Sequence, residues 1–146
     1  MFQQVFRILI YIVGRFFKTD NLSQKYPISV KVLLFDRERI LCLRNERGEW
    51  DLPGGKIHGI ENPEFTLKRE VKEETGLDIS NIELLKVVNQ KFNNVDVIVI
   101  LYTALINNDN AINISFEHFE YNFFSKEEFI ELNINPEYNQ LINDFF

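Results

Sequence analysis

Three glutamates concentrate the chemistry of this chain. Glu70, Glu73 and Glu74 stand at i, i+3 and i+4. On a helix that spacing sets three carboxylates on one face. Like charges so placed repel, and a bridging cation reverses the sign of that cost. A ligand set made only of oxygen suits a hard divalent ion, Mg²⁺ or Mn²⁺. Arg69 lies one turn before Glu73, where it can offset charge or hold a carboxylate in place. The bland alternative is a solvated helix face, because runs such as Lys68-Arg69-Glu70 and Lys72-Glu73-Glu74 are ordinary surface sequence.

The flanks favour the first reading. Pro53-Gly54-Gly55 precedes the carboxylates, and adjacent glycines after a proline point to close backbone packing or unusual dihedrals. Gly76 sits where a helix C-cap glycine belongs. From Gly55 the chain runs five residues to Glu61, seven more to Arg69, then Glu70, Val71, Lys72, Glu73, Glu74, Thr75, Gly76 and Leu77. At every fixed position this resembles the signature of the Nudix (MutT-like) hydrolases. Trp50, Leu52, Pro53 and Gly54 are similar to the family's lead-in.

The resemblance implies an α/β fold, an α/β/α sandwich with a mixed β-sheet. It implies divalent-metal-dependent cleavage of a nucleoside diphosphate linked to another group. Carried over residue by residue, Glu70 and Glu74 are the firmest metal ligands. Glu73 binds or positions the metal, and the Gly55 carbonyl adds an oxygen. Glu61 supports the loop or binds through water, and Arg69 orients a carboxylate. The general base stays open between Glu117, Glu120 and the carboxylates of the signature. His58 and His118 read first as solvated side chains, with His58 in reach of a phosphate. Their spacing makes no zinc motif.

Substrate markers are weaker. Family members that cleave ADP-ribose carry a proline some fifteen to eighteen residues past the signature, and those that cleave dinucleoside polyphosphates a tyrosine. Here the corresponding stretch is Phe92-Asn93-Asn94-Val95, with neither. A nucleoside triphosphate, including an oxidised one such as 8-oxo-dGTP, is the leading expectation. A nucleotide sugar, an RNA 5′ end and a non-enzymatic nucleotide-binding domain are the alternatives.

Composition sets the frame. The chain has 146 residues, 45 % hydrophobic and 14 % aromatic, with a formal net charge of -6. That supports one folded domain with a sizeable core and disfavours an extended nucleic-acid surface. A single cysteine, Cys42, lies in an apolar stretch and reads as a buried small hydrophobe, which excludes an intrachain disulfide and suits the cytoplasm. Residues 1–25 read as an extra apolar helix and linker ahead of a domain over residues 26–146. The helix is too short and interrupted to span a bilayer, and it lacks the pattern of a secretory signal. Its expected role is packing on the domain or in a homodimer, with peripheral membrane contact as the rival.

Elements that must position the glutamates follow from pattern. Strands are expected over 28–36, 40–44, 50–52, 82–89, 95–105 and 115–124, the first two as a hairpin and the fifth as a central strand covered on both faces. A helix over 63–75 has Asn62 as N-cap, Leu67 and Val71 as its core stripe and Phe65 flanking them. Ser125 and Glu128 form a capping box for a short helix reaching about Leu132. Asn135 and Pro136 open a final helix that packs through Tyr138, Leu141, Ile142 and Phe145.

Overall fold

The computed structural model describes residues 25–145, apart from residue 93 and residues 108–110. The expectations placed on residues 1–24, helix, dimer contact and membrane contact alike, lie outside the described residues. The elements run β1 (Ile28–Asp36), β2 (Arg39–Asn45), β3 (Trp50–Asp51), α1 (Pro63–Thr75), β4 (Ile79–Phe92), β5 (Val95–Ile106), β6 (His118–Phe124), α2 (Lys126–Ile130) and α3 (Pro136–Phe145). The sheet order is β3-β2-β1-β5-β4, and β6 pairs with β2. β1 and β5 are parallel, while the other strand pairs are antiparallel, so the sheet is mixed.

Alternation along β1 sorts two cores onto opposite faces of the sheet. Val30, Val32 and Leu34 pack with Leu67 and Val71 of α1. Leu33 packs on the other side with Phe129 of α2 and Tyr138, Leu141 and Ile142 of α3. This is the α/β/α sandwich that the sequence leads one to expect. Cys42 is fully buried in the second core, and burial raises its thiol pKa well above the ordinary value.

α1 forms where its caps and stripe place it. The Asn62 side chain accepts from the Glu64 and Phe65 amides, Pro63 occupies the first turn, and Gly76 closes the helix at φ 74° with its N–H on the Lys72 carbonyl. Ser125 and Glu128 complete the capping box of α2, which is shorter than expected. Phe65 turns away from the core stripe and is 60 % exposed. In β5, Val97, Val99 and Leu101 are buried, whereas Ile98 and Ile100 are only partly covered, Ile100 against the α1 core. β4 starts earlier than its pattern suggested and carries two irregularities in its pairing with β5. β6 starts later, at His118.

The expected hairpin of β1 and β2 forms only at its tip. The two strands pair at Phe35 with Ile40 and Asp36 with Arg39, and then part. β2 continues against β6, from Ile40–Phe124 to Asn45–His118. Below the tip, β1 offers a free edge to whatever enters the gap.

Candidate active site

The glycine turn enters that gap. The Val32 N–H donates to the Pro53 carbonyl at 3.0 Å, the Val30 N–H to the Gly55 carbonyl at 2.8 Å, and the Ile57 N–H to the Ile28 carbonyl at 2.9 Å. Gly54 lies against β1 so closely that a Cβ there would sit 2.2 Å from the Val30 carbonyl oxygen, and its φ is +129°. Only glycine satisfies both conditions.

Behind the turn stands Glu74, on the last turn of α1 and 9 % exposed. The Gly54 N–H donates to its Oε2 at 2.8 Å. Burial pushes the Glu74 carboxyl up to about 7, while Lys31 and the Gly54 N–H pull it down. Glu70 lies one turn earlier, with its carboxylate where a side chain on Gly55 would be: a Cβ on Gly55 would meet it at 2.5 Å. Arg69 gathers three carboxylates around one guanidinium. It reaches Glu70 at 2.9 Å, Glu73 at 3.1 Å and Glu61 at 3.3 Å. Glu61 also accepts from the Thr66 hydroxyl at 3.0 Å. That bond is the main reason its carboxyl titrates below the ordinary value.

A cleft of about 590 Å³ opens over these groups, lined by Gly54, Gly55, Lys56, His58, Arg69, Glu70, Glu73, Glu74, Ser115, Phe116 and Glu117. The helix end positions its far wall. The last carbonyls of an α-helix have no intrahelical partner. Here the Glu74 carbonyl takes the Ser115 N–H and the Thr75 carbonyl takes the Asn113 N–H, each at 3.0 Å. Glu117 is thereby brought to the cleft, exposed.

Glu120 stands apart from the cleft, and His118 departs from its expected exposure. Glu120 pairs across the strands with Arg44 at 2.9 Å and is not among the residues lining the cleft. His118 is not solvated: its side chain is 12 % exposed and its Nε2 lies 3.8 Å from Glu74 Oε1. Burial and the nearby Lys31 charge lower its pKa. The contact is a salt bridge only if the imidazole takes a proton, which its lowered pKa opposes. His58 is exposed on the cleft rim.

Sequence reasoning missed Lys31 and Asp51. Lys31 is a charged residue in the middle of an apolar strand, and that mismatch is the signal that could have found it. Its Nζ donates to Asp51 Oδ2 at 2.7 Å, the Leu52 carbonyl at 2.9 Å and the Gly54 carbonyl at 3.1 Å. Burial alone would lower the Lys31 pKa, but Asp51 and Glu74 hold it above the ordinary lysine value. Asp51 also lines a second cavity, of about 420 Å³, with Trp50, Phe92, Asn45, Asn133 and Asn135 among its walls. Trp50 is braced edge-to-face by Phe124, with ring centres 4.9 Å apart.

The donor set of the cleft fits a hard divalent cation. It is all oxygen, and Gly55 leaves open the space that a side chain would take from the Glu70 carboxylate. The Gly55 carbonyl already accepts from Val30 and has one lone pair left. Among the described residues, no three His, Cys, Asp or Glu side chains are gathered closely enough to hold a metal ion as they stand. Glu70 and Glu73 turn to Arg69 instead.

Fold, glycine turn and glutamate helix together define a class of protein. The NUDIX domain profile matches residues 25–145, and the chain belongs to this family. A stretch of 45 residues is 44 % identical to the 8-oxo-dGTP diphosphatase of Proteus vulgaris, covering 31 % of this chain and 40 % of that protein. The chain thus spans less than half the length of this curated relative. Among solved structures, the MutT protein of Methanosarcina mazei Go1 superposes with a TM-score of 0.71 at 29 % identity, over 84 % of this chain and 94 % of the other. The MutT NUDIX hydrolase of Burkholderia pseudomallei gives 0.75 at 20 % identity, over 84 % and 100 %. Among the described residues, no helix is long and apolar enough to cross a membrane.

Proposed function

We propose that this protein is a Mg²⁺- or Mn²⁺-dependent pyrophosphohydrolase of nucleoside triphosphates, with an oxidised purine such as 8-oxo-dGTP as the leading substrate. The observation that carries the reading is the cleft in which Glu70, Glu73 and Glu74 meet the Gly54–Gly55 turn. Glu70, Glu73 and Glu74, with the Gly55 carbonyl, would hold the cation. When bound, it would screen the polyphosphate and lower the pKa of an attacking water.

The chain's own residues supply the rest. The Gly54 N–H fixes Glu74, and Arg69 fixes Glu70 and Glu73. Lys56, His58 and Arg69 bring positive or hydrogen-bonding groups to a cleft of a net-acidic chain, where a polyphosphate needs them. Glu117, exposed on the cleft wall, is the candidate general base. The second cavity is lined by Trp50, Phe92, Asn45, Asn133 and Asn135, residue types that suit a purine, beside the charged Arg47, Glu49, Asp51 and Lys91. The name of the Proteus vulgaris relative supports the oxidised-purine choice.

The test is a substrate panel on the purified full chain: dGTP, 8-oxo-dGTP, ADP-ribose, a nucleotide sugar and a 5′-triphosphate RNA, with Mg²⁺, with Mn²⁺ and with excess chelator. The expected result is release of pyrophosphate and a nucleoside monophosphate from the triphosphates, abolished by chelator. Full activity in chelator refutes the metal mechanism. Faster turnover of ADP-ribose or a nucleotide sugar refutes the substrate. Binding without turnover across the panel favours a nucleotide-binding domain.

A further inference from the structure

We propose that Lys31 is a positioning residue for the hydrolytic site, locking the glycine turn from the opposite face of the sheet. The inference rests on the metal-dependent reading above. Val30 and Val32 belong to the α1 core, and Lys31, one residue out of phase, points to the α3 side of the sheet. From there its ammonium reaches under the turn. All three of its N–H donors are used, on the Asp51 carboxylate and the Leu52 and Gly54 carbonyls.

The bonding pattern is continuous. Four successive carbonyls, of Leu52, Pro53, Gly54 and Gly55, accept in turn from the Lys31 ammonium, the Val32 N–H, the Lys31 ammonium and the Val30 N–H. Backbone donors of an extended strand point to one edge only at every second residue. A flanking strand would leave the alternate carbonyls of the turn unbonded, and the lysine side chain supplies the missing donors. The consequence reaches the site through planar trans peptides. In the Pro53–Gly54 peptide the carbonyl faces Val32 and the N–H faces Glu74. In the next peptide the carbonyl faces Lys31. Fixing these two planes fixes the direction from which Glu74 is held and the position of Gly55 against Glu70.

Charge alone argues the other way, which makes the proposal testable. An ammonium near a divalent cation repels it, so a lysine with no positioning role should bind metal more tightly when its charge is removed. Loss of positioning weakens binding, and removal of groups that orient metal ligands typically costs roughly 10–100-fold in affinity.

The experiment titrates Mn²⁺ into the metal-free full chain by EPR, comparing wild type with Lys31→Met, which keeps the length of the stem and loses the donors. Amide hydrogen exchange at Gly54 is followed by NMR in the same samples without metal. The expected result is Mn²⁺ affinity lowered by roughly tenfold or more and faster exchange at Gly54, with the exchange of β5 amides unchanged. A purely structural lysine would lower the melting temperature yet leave the folded variant with wild-type Mn²⁺ affinity and Gly54 protection, and that result overturns the proposal. Tighter Mn²⁺ binding overturns it too. If Lys31→Met does not fold, Lys31→Ile, a β-branched residue suited to a strand that also lacks the donors, carries the same comparison. Wild type that binds no Mn²⁺ defeats the metal reading and this inference with it; wild-type binding with an unaffected variant defeats this inference alone.

Discussion

Raising the pH in the presence of chelator should destabilise this protein through one carboxyl group. Glu74 is buried, and its carboxyl titrates near 7 rather than at its ordinary 4.5. A folded-state pKa above the unfolded value means that the folded protein binds the extra proton between the two. The stability from that proton is fully present below 4.5 and is lost as the pH rises through 7. At about 1.4 kcal/mol per pH unit, the interval between the two values gives a ceiling of roughly 3 kcal/mol. For a chain of this size that corresponds to roughly 6–12 °C in melting temperature. His118 works in the opposite sense. Its pKa is lowered by burial, so its contribution is present above the ordinary histidine value and is lost as the pH falls. Glu74→Gln separates the two effects, because the amide mimics the protonated acid and leaves His118 in place. Thermal melts of wild type and Glu74→Gln, from about pH 5 to about pH 8, should start close together and diverge, the variant becoming the more stable by roughly 3 kcal/mol at the upper end. Mg²⁺ should restore wild type most strongly at the upper end, where the carboxylate is free to bind it. A gap between wild type and variant that does not change with pH would refute burial as the force governing Glu74.

Gly54→Ala should cost roughly 3–6 kcal/mol, from backbone strain at positive φ and loss of turn hydrogen bonds. Gly59→Ala, also at positive φ but with nothing within 4 Å of the added carbon, should cost only about 1 kcal/mol; equal melting temperatures for the two would contradict the close approach to β1. In steady-state assays Glu117→Gln should lower kcat by at least roughly tenfold if it is the general base, while Glu120→Gln, already committed to Arg44, should stay within about twofold; the reverse ranking would move the base to Glu120. Deleting residues 1–18, whose sequence is too apolar to be left in water, should lower the melting temperature or change the mass measured by light scattering, with no binding of either form to anionic liposomes. Liposome binding lost on truncation, with mass and stability unchanged, would instead assign that segment to a membrane surface.

What the sequence revealed and what it hid divide along the range of the interactions involved. α1 was readable because its determinants are local: Asn62 caps it, Gly76 stops it, and Leu67 and Val71 recur at the helical period. The glutamate spacing was readable for the same reason, since a helix converts three and four residues into one face. The opening between β1 and β2 was not readable. A hairpin pattern specifies a pair of strands, but here the glycine turn competes for the edge of β1 and wins all but the tip. That competition joins residues 21 to 29 positions apart and leaves no periodic trace. The approach of His118 to Glu74 is of the same kind, created when the orphan carbonyls at the end of α1 capture the loop before β6. Lys31 lies between the two cases. Its neighbours marked a buried strand, and a lysine at an inward position can stay charged only if it meets partners there. Its charge inside that strand was an unread sign that something polar lies beneath β1, and the fold identifies it as the underside of the glycine turn.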